Sequence, residues 1–166
     1  MNGECYIRFY SFRKLQGWRW WGIVLCNWTA HTHAQLEFDC KKNRIVFLTL
    51  DGAPTKVFKL GLQTSRFLGN KPYFTYPVGK LELLSEDFDW VHSLPTPRAW
   101  KIIFYHFVGQ FFGMRIPDNC ITFICDFLNR KGYNIPRMFS PKELWRYLHD
   151  GNNVSRTSPS GQDNAR

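Results

Sequence analysis

From residue 117 the chain reads Pro117-Asp118-Asn119-Cys120-Ile121-Thr122-Phe123-Ile124-Cys125-Asp126-Phe127-Leu128, the pattern of a helix start followed by an apolar helix face. Cys120 falls in the predicted first turn, where backbone N–H groups and the helix macrodipole stabilise an anionic sulfur. This position favours Cys120 as a nucleophile. The alternative is that Cys120 is a small apolar residue that packs the helix against a sheet.

A second segment, residues 31–39, alternates polar and apolar side chains and predicts a strand. One face carries only polar residues, namely His31, His33, Gln35, Glu37 and Asp39. Such a face either lines a site or faces water on an edge strand. Arg44–Leu50 is rich in β-branched and aromatic residues, so we expect it to pair antiparallel with this strand as a hairpin.

A cysteine nucleophile needs a base that takes its proton, and a third polar group usually holds that base. His33 is the candidate base, because it lies on the polar face of a predicted strand. His31 is on the same face and is a substrate contact, an alternative base or a surface residue.

The first half of the chain contains further predicted elements. Cys5–Phe12 alternates like a strand, and Gln16–Trp28 has tryptophans and aliphatic residues at helical spacing. Short apolar pieces between Asp51 and Tyr76 fit strands or loop equally well. Val78–Leu84 and Phe88–Leu94 are predicted to be strands.

The second half is predicted to be helical. Arg98–Phe112 has a broad apolar face and ends at Gly113. The Cys120 helix is expected to close near residues 130–132, with Cys125 pointing into the core. Ser140, followed three residues later by a glutamate, predicts a capping box and a last helix to about residue 149.

Composition predicts a single domain over residues 1–150 and a flexible polar tail over residues 151–166. The 22 Lys and Arg exceed the 13 Asp and Glu, giving a net charge of +9 and favouring an acidic partner macromolecule. No signal-peptide pattern or long apolar stretch is present, and the five cysteines include no C-x-x-C pair. We therefore expect a cytoplasmic protein without a transmembrane segment.

Two motifs carry a resemblance to a known family. Thr32-His33-Ala34-Gln35-Leu36-Glu37-Phe38 resembles the Ser-His-Val-Glu-Leu strand of circularly permuted NlpC/P60 cysteine hydrolases of the YiiX and lecithin-retinol-acyltransferase-like group. Asp118-Asn119-Cys120-Ile121-Thr122-Phe123-Ile124 resembles their Asn-Cys-x-x-Phe-Val helix start. The histidine strand precedes the cysteine helix, which is the permuted order, and the likeness spans residues 17–132.

The resemblance implies an α+β fold of the permuted papain-like type, with an antiparallel sheet packed on helices that include the nucleophile helix. It implies Cys120 as nucleophile, His33 as base and acid, and the backbone N–H of Cys120 in the oxyanion hole. Gln35 is the first candidate for the third residue, with Thr49 next. The further candidates are Glu37 and His31 as accessory residues, and Trp28 and Asn119 as substrate contacts.

The implied activity is a thiol hydrolase or acyltransferase that acts on an amide, isopeptide or ester bond of a peptide, a peptidoglycan stem or a lipid. No cofactor or metal is expected. A zinc site from His31, His33 and Cys40 needs a fourth ligand, and the sequence offers no other segment with metal-site spacing. The alternative is a non-catalytic, basic, aromatic-rich binding module, such as a phage protein that contacts a host protein or nucleic acid.

Overall fold

The computed structural model describes residues 2–10, 33–40, 43–50, 53–60, 72–95, 101, 104, 105, 107–151 and 154. For residues 40, 43–50 and 53–60 it describes the backbone. The predicted helix Gln16–Trp28 lies outside these residues, as does most of the tail predicted over residues 151–166.

The sheet contains five strands, all paired antiparallel. They are β1 (Asn2–Tyr10), β2 (His33–Cys40), β3 (Asn43–Leu50), β4 (Ala53–Leu60) and β5 (Phe74–Glu82). Their order across the sheet is β4-β3-β2-β1-β5. The prediction of an α+β protein with an antiparallel sheet is confirmed, as is the hairpin of β2 and β3.

β2 lies between β1 and β3, so it is an interior strand. The edge-strand interpretation of its polar face is therefore wrong. His33, Gln35 and Glu37 are all buried, although Asp39 near the end of the strand is exposed. The strand is buried on both faces, because alternate residues of a strand point to opposite sides of the sheet.

The segment after β5 differs from the prediction. Residues 85–93, part of which was predicted as a strand, form helix α1 (Ser85–Ser93). The Asp87 carboxylate accepts a hydrogen bond of 2.7 Å from the Leu84 N–H, which satisfies a backbone donor at the helix start. Val91 and Asp87 are buried on one side of α1 at a spacing of four residues, which is a helical period. The strand prediction for Phe88–Leu94 is therefore wrong.

Two helices follow the predictions closely. Helix α2 (Cys120–Arg130) begins at Cys120 and closes at residues 131 and 132, as expected. Helix α3 (Pro141–His149) has the predicted capping box, in which Ser140 accepts from the Glu143 N–H at 3.2 Å and Glu143 accepts from the Ser140 N–H at 3.2 Å. Local cap chemistry positions both helices.

The core lies between α2 and one face of the sheet. That face, which we call the apolar face of β2, consists of Ala34, Leu36 and Phe38, and all three side chains are buried in the same cluster as α2. The Phe38 and Phe127 rings are 5.9 Å apart in an edge-to-face arrangement. An ion pair between Lys131 and Asp87 links the end of α2 to α1.

The aromatic segment before α2 is helical at residues 101, 104, 105 and 107 and continues as a 3-10 turn, Gly109–Phe112. Gly113 ends it in the left-handed conformation with φ of 62°, as glycine readily does. The predicted broad apolar face does not become a buried one, because Phe104, Phe107, Phe111 and Phe112 are all exposed.

Candidate functional site

Cys120 is the first residue of α2, and its position is determined by the cap around Asn119. The Asn119 Oδ1 atom accepts hydrogen bonds from the Ile121 N–H at 2.7 Å and the Thr122 N–H at 3.0 Å. The Thr122 hydroxyl accepts from the Asn119 N–H at 2.7 Å, which completes a capping box. The cap holds the Cys120 backbone at the positive end of the helix macrodipole.

The Asn119 amide group is committed to the fold on both sides. Its Nδ2 atom donates to the Phe139 carbonyl at 2.9 Å, while its Oδ1 atom serves the cap. Asn119 was predicted as a substrate contact, and the structure gives it a positioning role beneath Cys120.

The structure describes the side chains of three cysteines, Cys5, Cys120 and Cys125, and none of these forms a disulfide. Cys5 and Cys125 are completely buried, whereas Cys120 is partly exposed. Burial raises the pKa of the Cys125 thiol to about 11, so this thiol is protonated at neutral pH. Cys120 is the member of this set that a substrate can reach.

A buried polar cluster lies on the opposite face of the sheet from α2. It consists of side chains from β1 and β2, namely Arg8, Tyr10, His33, Gln35 and Glu37. The antiparallel register places Tyr10 opposite His33 and Arg8 opposite Gln35, which brings the two strands' polar residues to the same face.

Hydrogen bonds and an ion pair connect the polar cluster. The Tyr10 hydroxyl donates to Glu37 Oε1 at 2.9 Å, and Gln35 Nε2 donates to the Tyr10 oxygen at 3.2 Å and to Glu37 Oε1 at 3.1 Å. Arg8 forms an ion pair with Glu37. Since the Gln35 amide nitrogen serves both Tyr10 and Glu37, the acceptor oxygen Oε1 is the part of Gln35 that remains for a histidine N–H.

Burial affects the ionisation of two members of the cluster. Burial lowers the pKa of His33 from 6.5 to about 4, while the neighbouring Gln35 side chain acts in the opposite direction. Burial and the Glu37 carboxylate raise the pKa of Tyr10 above its usual value. At pH 7 His33 is therefore a neutral imidazole, the form that accepts a proton.

The two halves of the predicted catalytic pair belong to elements on different sides of the sheet. The His33 side chain belongs to the polar face of β2, and α2 packs on the apolar face through Phe38 and Phe127. His33 is the first residue of β2 and Cys120 is the first residue of α2. A contact between them therefore has to pass around the end of the strand.

Arg8 and Tyr10 were not among the residues predicted for the site. Their sequence signal was the alternation of Tyr6, Arg8 and Tyr10 in a predicted strand. The pairing of that strand with β2 was not readable from local pattern, because Arg8 and Glu37 are far apart in the sequence. Of the predicted accessory residues, Gln35 is the neighbour of His33 on the polar face, and Glu37 is bonded to Gln35.

Three further candidates cannot be placed. His31 and Trp28 lie outside the described residues, and Thr49 is in β3, where the description is of the backbone. Among the residues that the structure describes, no group of three or more histidine, cysteine, aspartate or glutamate side chains could hold a metal ion.

Comparison of the chain with family models, with curated proteins and with solved structures gives no match.

Proposed function

We propose that the protein is a thiol hydrolase or acyltransferase of the permuted NlpC/P60, papain-like type, which acts on an amide, isopeptide or ester bond. The observation that carries the proposal is the placement of Cys120 in the first turn of a fully capped helix, partly exposed, while Cys5 and Cys125 are buried. A neutral, buried His33 with a polar neighbour supplies the second support.

In the proposed reaction, His33 takes the proton of the Cys120 thiol and the thiolate attacks the substrate carbonyl. The oxyanion that forms is stabilised at the start of α2, with the Cys120 N–H as donor. The Asn119 side chain occupies the N–H groups of Ile121 and Thr122, so neither of these binds the oxyanion. His33 then protonates the leaving amine or alcohol, and water or another acceptor releases the acyl group.

Gln35 serves as the third residue in this proposal. Tyr10 and Glu37 hold its amide nitrogen, and its Oε1 atom is buried without a hydrogen-bond partner among the described residues. In the proposed site this oxygen accepts from a His33 N–H and orients the ring. A neutral amide orients an imidazole without adding a negative charge beside it. Such a site has a weaker base than one with a carboxylate, and the burial of His33 lowers its pKa further.

The substrate classes proposed for this site are peptides, peptidoglycan stem peptides and lipids that contain such bonds. These classes share an acyl carbonyl, and the described residues include no feature that selects one of them.

Alkylation of the native protein with iodoacetamide between about pH 5 and pH 9 tests the proposal, with adducts mapped by mass spectrometry. We expect Cys120 to react at pH values well below about 8.5, which is the ordinary pKa of a free cysteine thiol. The pH profile of this reaction should change in His33→Gln. An activated ester such as p-nitrophenyl acetate should give a burst that acylates Cys120 and disappears in Cys120→Ala.

Cys125 is the internal control for both measurements, because it is in the same helix and completely buried. The catalytic role of Cys120 is excluded if it reacts no faster than Cys125 in the folded protein. The role of His33 is excluded if His33→Gln is folded by circular dichroism and keeps the wild-type profile.

A further inference from the structure

An exposed cluster of apolar side chains precedes α2. We call it the aromatic patch and define it by Phe104, Phe107, Phe111, Phe112 and Met114. Phe111 and Phe112 are 77% and 78% exposed, and the other three side chains are about half exposed. Large aromatic side chains at this level of exposure indicate a contact surface.

The backbone explains why these side chains point outward together. Phe104, Phe107 and Phe111 have the spacing of one helix face, and the Val108 N–H donates to the Phe104 carbonyl at 2.9 Å. Gly113 then turns the chain, and the Met114 N–H donates a hydrogen bond of 3.0 Å to the Gly109 carbonyl. The patch thus lies on the exposed side of this helical segment and its turn.

The segment that contains the patch carries charge of one sign, although Arg115 also interacts with the Asp126 carboxylate of α2. Between Asp89 and Asp118 the sequence contains no acidic residue, whereas Lys101 and Arg115 are exposed on either side of the patch. The whole chain carries a net charge of +9. The surface that meets the patch must therefore accept apolar side chains and carry negative charge.

We propose that the aromatic patch docks the protein on the surface of an anionic phospholipid bilayer. Protruding phenylalanines enter the interface between headgroups and acyl chains, and the flanking cations bind the lipid phosphates. A bilayer accepts exposed phenylalanines without a matching pocket. No helix within the described residues is long and apolar enough to cross a membrane, so the proposed contact is peripheral.

Other occupants fit the observations less well. In a symmetric dimer Lys101 and Arg115 would approach their own copies, so like charges would repel. Single-stranded nucleic acid stacks on aromatic rings but needs a continuous track of cations, whereas five apolar side chains here accompany two described cations. The proposal does not depend on the chemistry of Cys120.

Co-sedimentation of the full chain with vesicles tests the proposal. We expect binding to phosphatidylcholine vesicles containing about 30% phosphatidylglycerol, and much weaker binding to phosphatidylcholine alone or at high salt. Phe111→Ser with Phe112→Ser should weaken binding about ten-fold for each phenylalanine. Lys101→Gln and Arg115→Gln should each weaken it about five-fold.

Leu84→Ser is the matched control, because Leu84 is an exposed apolar residue outside the patch and should bind like the wild type. All five substituted positions are exposed, and circular dichroism checks that each variant is folded. The proposal is overturned if the wild type does not bind the anionic vesicles, or if the double phenylalanine variant binds them equally well. It is also overturned if the patch instead mediates self-association in gel filtration or tighter binding to single-stranded DNA.

Discussion

On its apolar face β2 packs against α2, whereas its opposite face contributes most of the polar cluster. Both faces are buried to a similar degree: Phe38 and Glu37, which are neighbours in the chain, are each 0% exposed. The apolar face gains free energy from removing hydrocarbon from water, at about 25 cal/mol per Å². The polar face has to offset the cost of removing charges from water through its ion pair and hydrogen bonds.

This difference indicates which face of β2 the fold requires. A buried ion pair replaced by well-packed apolar residues is often neutral or stabilising, so Arg8 and Glu37 are not needed to hold the strands together. Glu37, paired with Arg8, accepts a hydrogen bond from Gln35 Nε2 and so fixes the Gln35 amide. In the proposed site this amide orients the His33 ring. We infer that the polar cluster is retained for the proposed site and the apolar face for stability.

The largest expected effect comes from removing one charge of the pair. Glu37→Leu leaves the Arg8 guanidinium without its carboxylate and Tyr10 without its acceptor, and should cost about 3–5 kcal/mol of unfolding free energy. Urea denaturation monitored by tryptophan fluorescence measures it. The double variant Arg8→Met with Glu37→Leu should recover most of the loss, because no buried charge remains.

The apolar face gives the contrasting control. Phe38→Ala removes the ring that packs on Phe127 and should cost a similar amount, about 3–5 kcal/mol, through transfer and cavity terms. Arg8→Met added to Phe38→Ala should restore nothing, since Arg8 is on the other face. If the Arg8 and Glu37 double variant is no more stable than Glu37→Leu, the two faces do not differ in the way argued above.

Local chemistry explains which parts of this comparison were predictable. The caps at Asn119 and Ser140 involve residues within a few positions of each other, and both helices begin where predicted. The alternation in β2 separated its two faces correctly. The strand order was not predictable, because pairing between β1 and β2 joins residues such as Arg8 and Gln35 that are distant in sequence.

The same reasoning explains one incorrect prediction and one feature that was not predicted. Phe88–Leu94 is short and apolar, and such runs fit strand and helix alike; the Asp87 cap and the packing of α1 decided for a helix. The exposure of the aromatic patch was not readable from the Arg98–Phe112 pattern. An apolar helix face indicates a contact, but the pattern is the same whether the face packs on the protein's own core or on a partner.

A smaller effect concerns the pH dependence of stability and tests the polar face through His33. The folded protein protonates His33 near pH 4 and the unfolded chain near pH 6.5, so the unfolded state binds more protons between these values. Stability therefore falls as the pH is lowered through this window, by up to about 3 kcal/mol. Urea denaturation at a series of pH values measures the slope.

His33→Gln should flatten this part of the stability profile, because the variant has no imidazole to charge. His92→Gln replaces an exposed histidine of α1 and is the control. A profile for His33→Gln that keeps the wild-type slope between pH 4 and pH 6.5 would assign the dependence to other groups.

The smallest effect separates a single hydrogen-bonding group from the rest of the polar cluster. Tyr10→Phe removes the hydroxyl that donates to Glu37 and accepts from Gln35, and keeps the buried ring. We expect a loss of about 1–2 kcal/mol, the cost of leaving buried partners unsatisfied. Tyr6→Phe, at a partly buried position on the same strand face, is the matched control and should change stability by less than about 0.5 kcal/mol.

If Gln35 holds His33 only while Tyr10 holds Gln35, Tyr10→Phe should also shift the NMR titration of the His33 ring, whereas Tyr6→Phe should not. A loss of stability without any change in that titration would make Tyr10 a structural residue of the sheet and remove it from the proposed site.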